Sequence, residues 1–303
     1  DDPRHNLDVA LRRALILADA IARKDRRDVE GELDLLIESQ RGRVADLKQT
    51  LAGLLAGTRL VGQRLRDQRI VVLGAGSSAI GISDQLVTAM VADGGELEAA
   101  RRAIWLVDSE GLVHKGRPHL DATKSRYARP SEELAAWTLG GPAGLVDVVS
   151  HVRPTVLIGT SAQPGAFSEP IVRSMASGVD RPMIFPLSNP TSKAEAVPAD
   201  LLAWTNGRAI VATGSPFADV SVHGRPVRIG QCNNAFIFPG IGLGVWVGRA
   251  RYISDAMFLD AARALAAAVS DRDLAENALY PSLTRIRDIS HSVACAVIRR
   301  AVS

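Results

Sequence analysis

The stretch Arg69 to Leu86, RIVVLGAGSSAIGISDQL, constrains the fold more than any other part of the chain. The apolar run Ile70 to Leu73 has strand character, a glycine turn ends it, and a helical pattern of apolar residues follows. The turn reads G-x-G-x-x-A. Gly74 permits the tight turn, Gly76 lets a pyrophosphate approach the backbone closely, and small Ala79 lets helix and strand pack together. The first amides of the helix, at Ser77, Ser78 and Ala79, then face the phosphates. Such a motif alone is weak. Set between a strand and a helix, and followed by a second strand ending in Asp108, it points to a dinucleotide site. The competing reading is a glycine turn in an α/β fold that binds nothing.

From Arg69 onward, strand and helix patterns alternate. The expected strands are 69–74, 103–108, 155–159, 182–188 and 209–214, and the expected helices 78–93, 142–151, 168–177 and 198–204. Each strand run ends at small or polar residues: Gly74, Asp108, Gly159, Ser188-Asn189 and Gly214-Ser215. This predicts an α/β protein with a doubly wound, parallel, Rossmann-type sheet whose carboxyl edge carries the site. Residues 7–66 read as helical, with Leu47, Leu51, Leu54 and Leu55 at helical spacing. The tail reads as helices near 239–250, 255–269 and 285–301, and Ser270-x-x-Asp273 can start a short one between them. The expected division is a helical segment over 1–66, a nucleotide-binding domain over 67–240, and C-terminal helices over 241–303 that pack on it.

Charge and composition narrow the partners. Of 303 residues, 36 are basic and 33 acidic, for a net charge of +3, and the two signs are interleaved. The richest basic patch, Arg23-Lys24-Asp25-Arg26-Arg27, reads as a solvated helix face, and aromatics at 4% leave little for base stacking, so nucleic acid is not expected. There is no apolar run long enough to cross a bilayer, and DDPRHNLD has neither the basic nor the apolar region of a signal peptide. The absent initiating Met reads as a piece of something longer. Cys232 and Cys295 have no ligand spacing and fit a reducing, cytoplasmic setting. The N-terminal helices are candidates for contact with a second copy or another chain.

Asp108 ends the run IWLVD, where a carboxylate can accept from a ribose 2′-hydroxyl, as NAD requires. It lies farther past Gly76 than the usual spacing of about 20 residues. Small Ser109 leaves room for a 2′-phosphate, and Lys115, Arg117, Lys124 and Arg126 offer charge to neutralise one, so NAD and NADP stand nearly even, with a slight lean to NADP. Farther on, FPLSNPT places Ser188 and Asn189 at a strand end, and GQCNNAFIFPG places Asn233 and Asn234 before an apolar run. An amide donates and accepts at once, which suits a carboxylate ligand.

The segments LAGLLAG, RLRDQRIVVLGAGSSAIGI, IWLVDSEGLVHKGR, RPMIFPLSNPTSKAE, ATGSPF, GQCNNAFIFPGIGLG and ISDAMFLDAARALA together resemble the nucleotide-binding and C-terminal part of malic enzymes, in the family's order and spacing from about Leu51 to Ala268. The resemblance implies that Gly74, Gly76, Ser77, Ser78, Ala79, Asp108 and Ser109 hold the cofactor. Thr160, Ser161 and Ser188 would lie along its nicotinamide half, and Asn189 and Asn234 would bind malate. The family's general-acid tyrosine, general-base lysine and substrate arginine belong to an N-terminal domain that this sequence does not show. No catalytic residue is therefore assigned, and Lys193 is not the family's base. The last metal aspartate of the family falls in register near Gly42, with Asp46 and Glu38 out of register, so magnesium or manganese is expected only if ligands come from elsewhere. Cys232 stands where the family has a glycine.

Three functions follow. The first is an NAD(P)-dependent oxidoreductase of malic enzyme descent acting on a small hydroxy or keto acid, with complete decarboxylation not expected of this chain alone. The second is a metal-independent reductase of another substrate. The third is a catalytically degenerate homologue that binds nucleotide or docks a partner.

Overall fold

The computed structural model describes residues 47–302 apart from 138 and 140, so the helices expected before residue 47 lie outside the described residues. The chain enters as helix α1 (Leu47–Val61), turns, and forms β1 (Ile70–Leu73) followed by α2 (Ser77–Ala92). A short helix, α3 (Leu97–Arg102), leads into β2 (Ile104–Asp108), which turns back as the two-residue strand β3 (Gly111–Leu112). Two further short helices follow, α4 (Ala122–Ser125) and α5 (Ser131–Ala135). The regular alternation resumes with α6 (Leu145–Val152), β4 (Val156–Gly159), α7 (Glu169–Gly178), β5 (Met183–Pro186), α8 (Pro198–Trp204) and β6 (Ile210–Thr213). A small hairpin, β7 (Val220–Val222) and β8 (Arg225–Val227), precedes β9 (Gly230–Gln231). The chain then closes with α9 (Phe238–Val247), α10 (Asp255–Ala267), α11 (Asp271–Ala275) and α12 (Ile286–Val302).

The main sheet has seven strands in the order β3-β2-β1-β4-β5-β6-β9. Only the β2–β3 pairing is antiparallel. β1 sits between β2 and β4, with Leu73 beside both Val107 and Gly159. All four residues of β1, β4, β5 and β6 are buried, as expected for strands covered on both faces.

Strand alternation sorts the apolar residues into two layers. Ile70, Val72, Ile104, Leu106, Val156 and Ile158 join one core with Leu51 and Leu54 of α1, Leu86 and Met90 of α2, Leu265 of α10 and Val293 of α12. Val71, Leu73, Val107, Leu157 and Ile184 join the other with Val148 of α6, Ile171 and Met175 of α7 and Leu201 of α8. The N-terminal and C-terminal helices thus share one face, where α1 packs on α10 and α2, and α12 packs on α9 and α10. Among the described residues, no helix is long and apolar enough to cross a membrane.

Candidate functional site at the carboxyl edge

β1 and β4 are neighbours whose chains leave on opposite sides of the sheet, which opens a crevice beyond their carboxyl ends. Two glycines shape it for different reasons. Gly74 has φ +115°, and a Cβ there would lie 2.5 Å from Thr160 Oγ1, so both backbone and packing demand glycine. Gly74 N–H donates to Val107 O at 2.7 Å, and Thr160 N–H donates to Leu73 O at 2.8 Å, closing the turn onto the flanking strands. Gly76 caps α2 with an ordinary φ of −79°, and a Cβ there would meet nothing within 4 Å. Among the described residues, nothing requires glycine at 76. The first turn of α2 carries no acidic residue, and no side chain caps it. Gly76 and Ser77 are exposed at this uncapped helix start, where the leading amides and the positive end of the helix suit a pyrophosphate.

The next strand ends are tied together by a carboxylate. Glu195 is fully buried. Its Oε1 accepts from Ser161 N–H at 2.8 Å, from Ser161 Oγ at 3.1 Å and from Ser188 Oγ at 2.5 Å. Its Oε2 accepts from Ser188 N–H at 3.3 Å. A Cβ on Gly159 would sit 2.5 Å from the Glu195 carboxyl carbon, so the end of β4 is bare to admit it. Ser188 Oγ also accepts from Ala162 N–H at 2.9 Å. Ser161 and Ser188 thus form one hydrogen-bonded ledge over Glu195, while Thr160 bonds back to Leu73 O.

Asp108 is more heavily engaged than the sequence led us to expect. Oδ1 accepts from Arg117 Nη1 at 2.9 Å and from Glu110 N–H at 3.0 Å; Oδ2 accepts from Lys124 Nζ at 2.8 Å and from Arg117 Nη1 at 3.1 Å. Burial on its own raises this carboxyl, but the bonds from Lys124 and Arg117 outweigh it and hold the group below its ordinary value of 3.8. Two of the cations considered for a 2′-phosphate are therefore already spent on Asp108, and Arg126 pairs with Asp84 at 3.1 Å. Ser109 is exposed beside this cluster.

On the far side of the edge, Asn189 follows β5, is exposed, and accepts at Oδ1 from Ser215 Oγ at 2.5 Å. Asn234 follows β9 and accepts at Oδ1 from Gln49 Nε2, on α1, at 2.5 Å. The backbone oxygen of Gln49 accepts from the buried Tyr280 hydroxyl at 2.6 Å. Cys232 lies 3.7 Å from Thr50 Oγ1. Burial raises the Tyr280 phenol, and the neighbouring Cys232 adds to the shift. Lys193 is exposed. Among the described residues, no cluster of His, Cys, Asp or Glu is arranged to hold a metal; Glu38, Gly42 and Asp46 lie outside them.

The sequence reading did not single out Glu195 or Gln49. Glu195 follows SNPTSKA and reads as another surface charge. Gln49 offered a signal, since it falls four residues before Gly53 on the face of α1 that packs inward.

Residues 48–302 match the profile of the malic enzyme NAD-binding domain. The chain is 48% identical over 253 residues to the NAD-dependent malic enzyme of Sodalis glossinidius, covering 83% of this chain and 45% of that protein. To the NAD-dependent malic enzyme of Aeromonas hydrophila it is 44% identical, covering 84% of this chain and 45% of that one. The chain thus spans less than half the length of these relatives. Among solved structures, the Entamoeba histolytica malic enzyme superposes with a TM-score of 0.66 at 26% identity, covering 86% of this chain and 48% of that one. The malic enzyme of Pyrococcus horikoshii shares the fold, with a TM-score of 0.62 at 24% identity over 86% of this chain and 53% of that one.

Proposed function

Because the chain belongs to the malic enzyme family and carries its NAD-binding domain, we propose that it supplies the nicotinamide-dinucleotide half of an NAD-dependent oxidoreductase acting on a small hydroxy acid, malate first among them. One observation carries the reading: Gly76 is free of any internal need for glycine and stands before an uncapped helix N-terminus. The pyrophosphate takes the amides of Ser77, Ser78 and Ala79. Thr160, Ser161 and Ser188 line the nicotinamide half, and Asn189 and Asn234 hold the acid's carboxylate. In Asn234 the Gln49 amide occupies Oδ1, which leaves the Nδ2 donors for a carboxylate.

NAD is favoured over NADP. The Asp108 charge stands next to Ser109, with Lys124 and Arg117 committed to it, and the relatives above are named as NAD-dependent. This reverses the lean to NADP drawn from Ser109, Lys124 and Arg126. When bound, the cofactor accepts the hydride leaving C2 of the hydroxy acid. The hydroxyl proton needs a base, and loss of carbon dioxide needs a Lewis acid. We place both outside the described residues, together with an oligomeric or partner contact through the N-terminal helices. A reducing, cytoplasmic setting suits the thiols of Cys232 and Cys295.

Calorimetry of the purified chain with NAD tests the proposal. Saturable binding is expected, and mixing with malate and manganese is expected to yield little or no reduced cofactor. Absence of NAD binding would overturn the reading, and rapid turnover of malate would overturn the placement of the base. A second reading, a homologue that only docks a partner, has in its favour that Gln49 already holds Asn234; it expects no binding of nucleotide at all.

A further inference from the structure

We propose that the Glu195 carboxylate sets the preference of this site for the oxidised over the reduced nicotinamide. The inference rests on the cofactor placement above and goes beyond it. Glu195 is fully buried and makes no ion pair among the described residues. Its charge is held by two backbone amides and two serine hydroxyls alone. Ser188 Oγ accepts from Ala162 N–H at 2.9 Å and Ser161 Oγ from Gln163 N–H at 3.3 Å, and each hydroxyl hydrogen is directed at Glu195. Four donors converge on this one carboxyl group, which accepts from all of them.

A buried carboxylate is ordinarily paired with a cation, because leaving it uncompensated is costly. Here the compensating charge would come from the ligand. The oxidised nicotinamide ring is a cation, and it becomes neutral once it has taken up a hydride. Ser161 and Ser188, placed above along the nicotinamide half, bond Glu195 directly, so in that placement the field of the carboxylate crosses a low-dielectric layer before it reaches the ring and is weakly screened. The oxidised cofactor gains that interaction and the reduced one does not. That preference holds the oxidant and eases release of the reduced product, and it lowers the reduction potential of the bound couple.

The alternative role for Glu195 is mechanical, a clamp joining the ends of β4 and β5, and it would change the affinity of both cofactor forms alike. The test is the ratio of NADH to NAD dissociation constants, measured by calorimetry on the intact chain, with ADP-ribose as a probe that lacks the ring. The wild-type chain is expected to bind NAD more tightly than NADH. Glu195→Gln is expected to lower that ratio about tenfold, equivalent to about 1.4 kcal/mol or roughly 30 mV for a two-electron couple, with little change for ADP-ribose. Glu195→Asp keeps the charge and is expected to keep the preference. An unchanged ratio in Glu195→Gln overturns the proposal. So does a wild-type chain that binds NADH the more tightly, a result that needs no variant to fold. If the wild-type chain binds neither form, the cofactor placement itself is wrong and the proposal falls with it.

Discussion

The two ends of the sheet's carboxyl edge are built by different means. The β1–β4–β5 end is assembled from strand ends and the turns that follow them: Gly74 against Thr160, Ser161 and Ser188 over Glu195. Each contact there joins segments that the sheet already places side by side. The β6–β9 end borrows a residue from the far end of the chain, since Asn234 is oriented by Gln49, 185 positions earlier. The first end is a rigid consequence of the fold. The second depends on where one helix docks. The proposed nucleotide pocket, of the first kind, is expected to survive wide changes elsewhere in the chain, whereas the proposed acid pocket, of the second kind, is expected to be retuned or lost through a single helix.

The sharpest way to break this contrast is Gly76→Val. Its side chain enters the space before α2, where a Cβ meets nothing within 4 Å among the described residues. NAD affinity is expected to fall roughly a hundredfold or more, about 2.7 kcal/mol, with only a small cost in melting temperature from the poorer helix cap. Near wild-type affinity by calorimetry would show that the phosphates bind elsewhere.

Next in size is Asp108→Asn, which strands the largely buried Arg117 and the partly buried Lys124. We expect a loss of about 2 kcal/mol at neutral pH, below that of a wholly buried pair because Lys124 is partly solvated. The pH dependence has a definite sign. The folded carboxyl lies below its ordinary 3.8, so its contribution is complete above that value and disappears as pH falls through the lowered folded one. Denaturation of wild type and variant should therefore converge in acid. A gap that stays constant from neutral pH to strong acid would show that the pairing is not what stabilises this loop.

Asn234→Ala acts at the other end of the edge. In the assembled enzyme it is expected to weaken the acid's contribution to kcat/KM about tenfold, or ~1.4 kcal/mol, by removing a hydrogen bond to a charged group. NAD affinity should be unmoved; a matching fall in NAD affinity would mean the two ends are not independent. Gln49→Ala should be the mildest, about threefold on the same quantity and nothing on NAD, because the Asn234 amide remains but loses the partner that fixes its orientation. An effect larger than that of Asn234→Ala would place Gln49 on the acid itself.

The same contrast governed what could be read beforehand. All five long strands and the helices that cover them lie within a few residues of where apolar runs and turn residues placed them, because each is defined by its own sequence. The two-residue strands β3 and β9 are too short for any periodicity and exist only through pairing with β2 and β6. The β7–β8 hairpin did carry a signal that went unread: His223-Gly224, both with positive φ, is a turn that joins two antiparallel strands. Gly74, Gly76 and Ser188 stand in local motifs legible from the sequence, as does the pair Asn233-Asn234, whereas the choice of Asn189 and Asn234 for the acid rests on the family resemblance. Glu195 was not, because a charged residue in a loop looks the same whether it faces water or is sealed beneath serines from two other segments. Asp108 was identified, but its saturation by Lys124 and Arg117 depends on how a loop folds back, which spacing does not encode.

The long reach from Gln49 also orders events in time. Closing a loop between Gln49 and Asn234, or between Gln49 and Tyr280, 231 positions apart, costs chain entropy that nothing local offsets, so such contacts form late. During synthesis the helix that carries Gln49 leaves the ribosome ahead of every strand of the sheet. The turn of Gly74 with its Thr160 partner, and the ledge over Glu195, can be complete once residue 195 has emerged. Gln49 must wait for Asn234 and then for Tyr280, close to the end of the chain, before both of its anchors exist. A nascent chain therefore completes the contacts proposed for the nucleotide before those proposed for the acid.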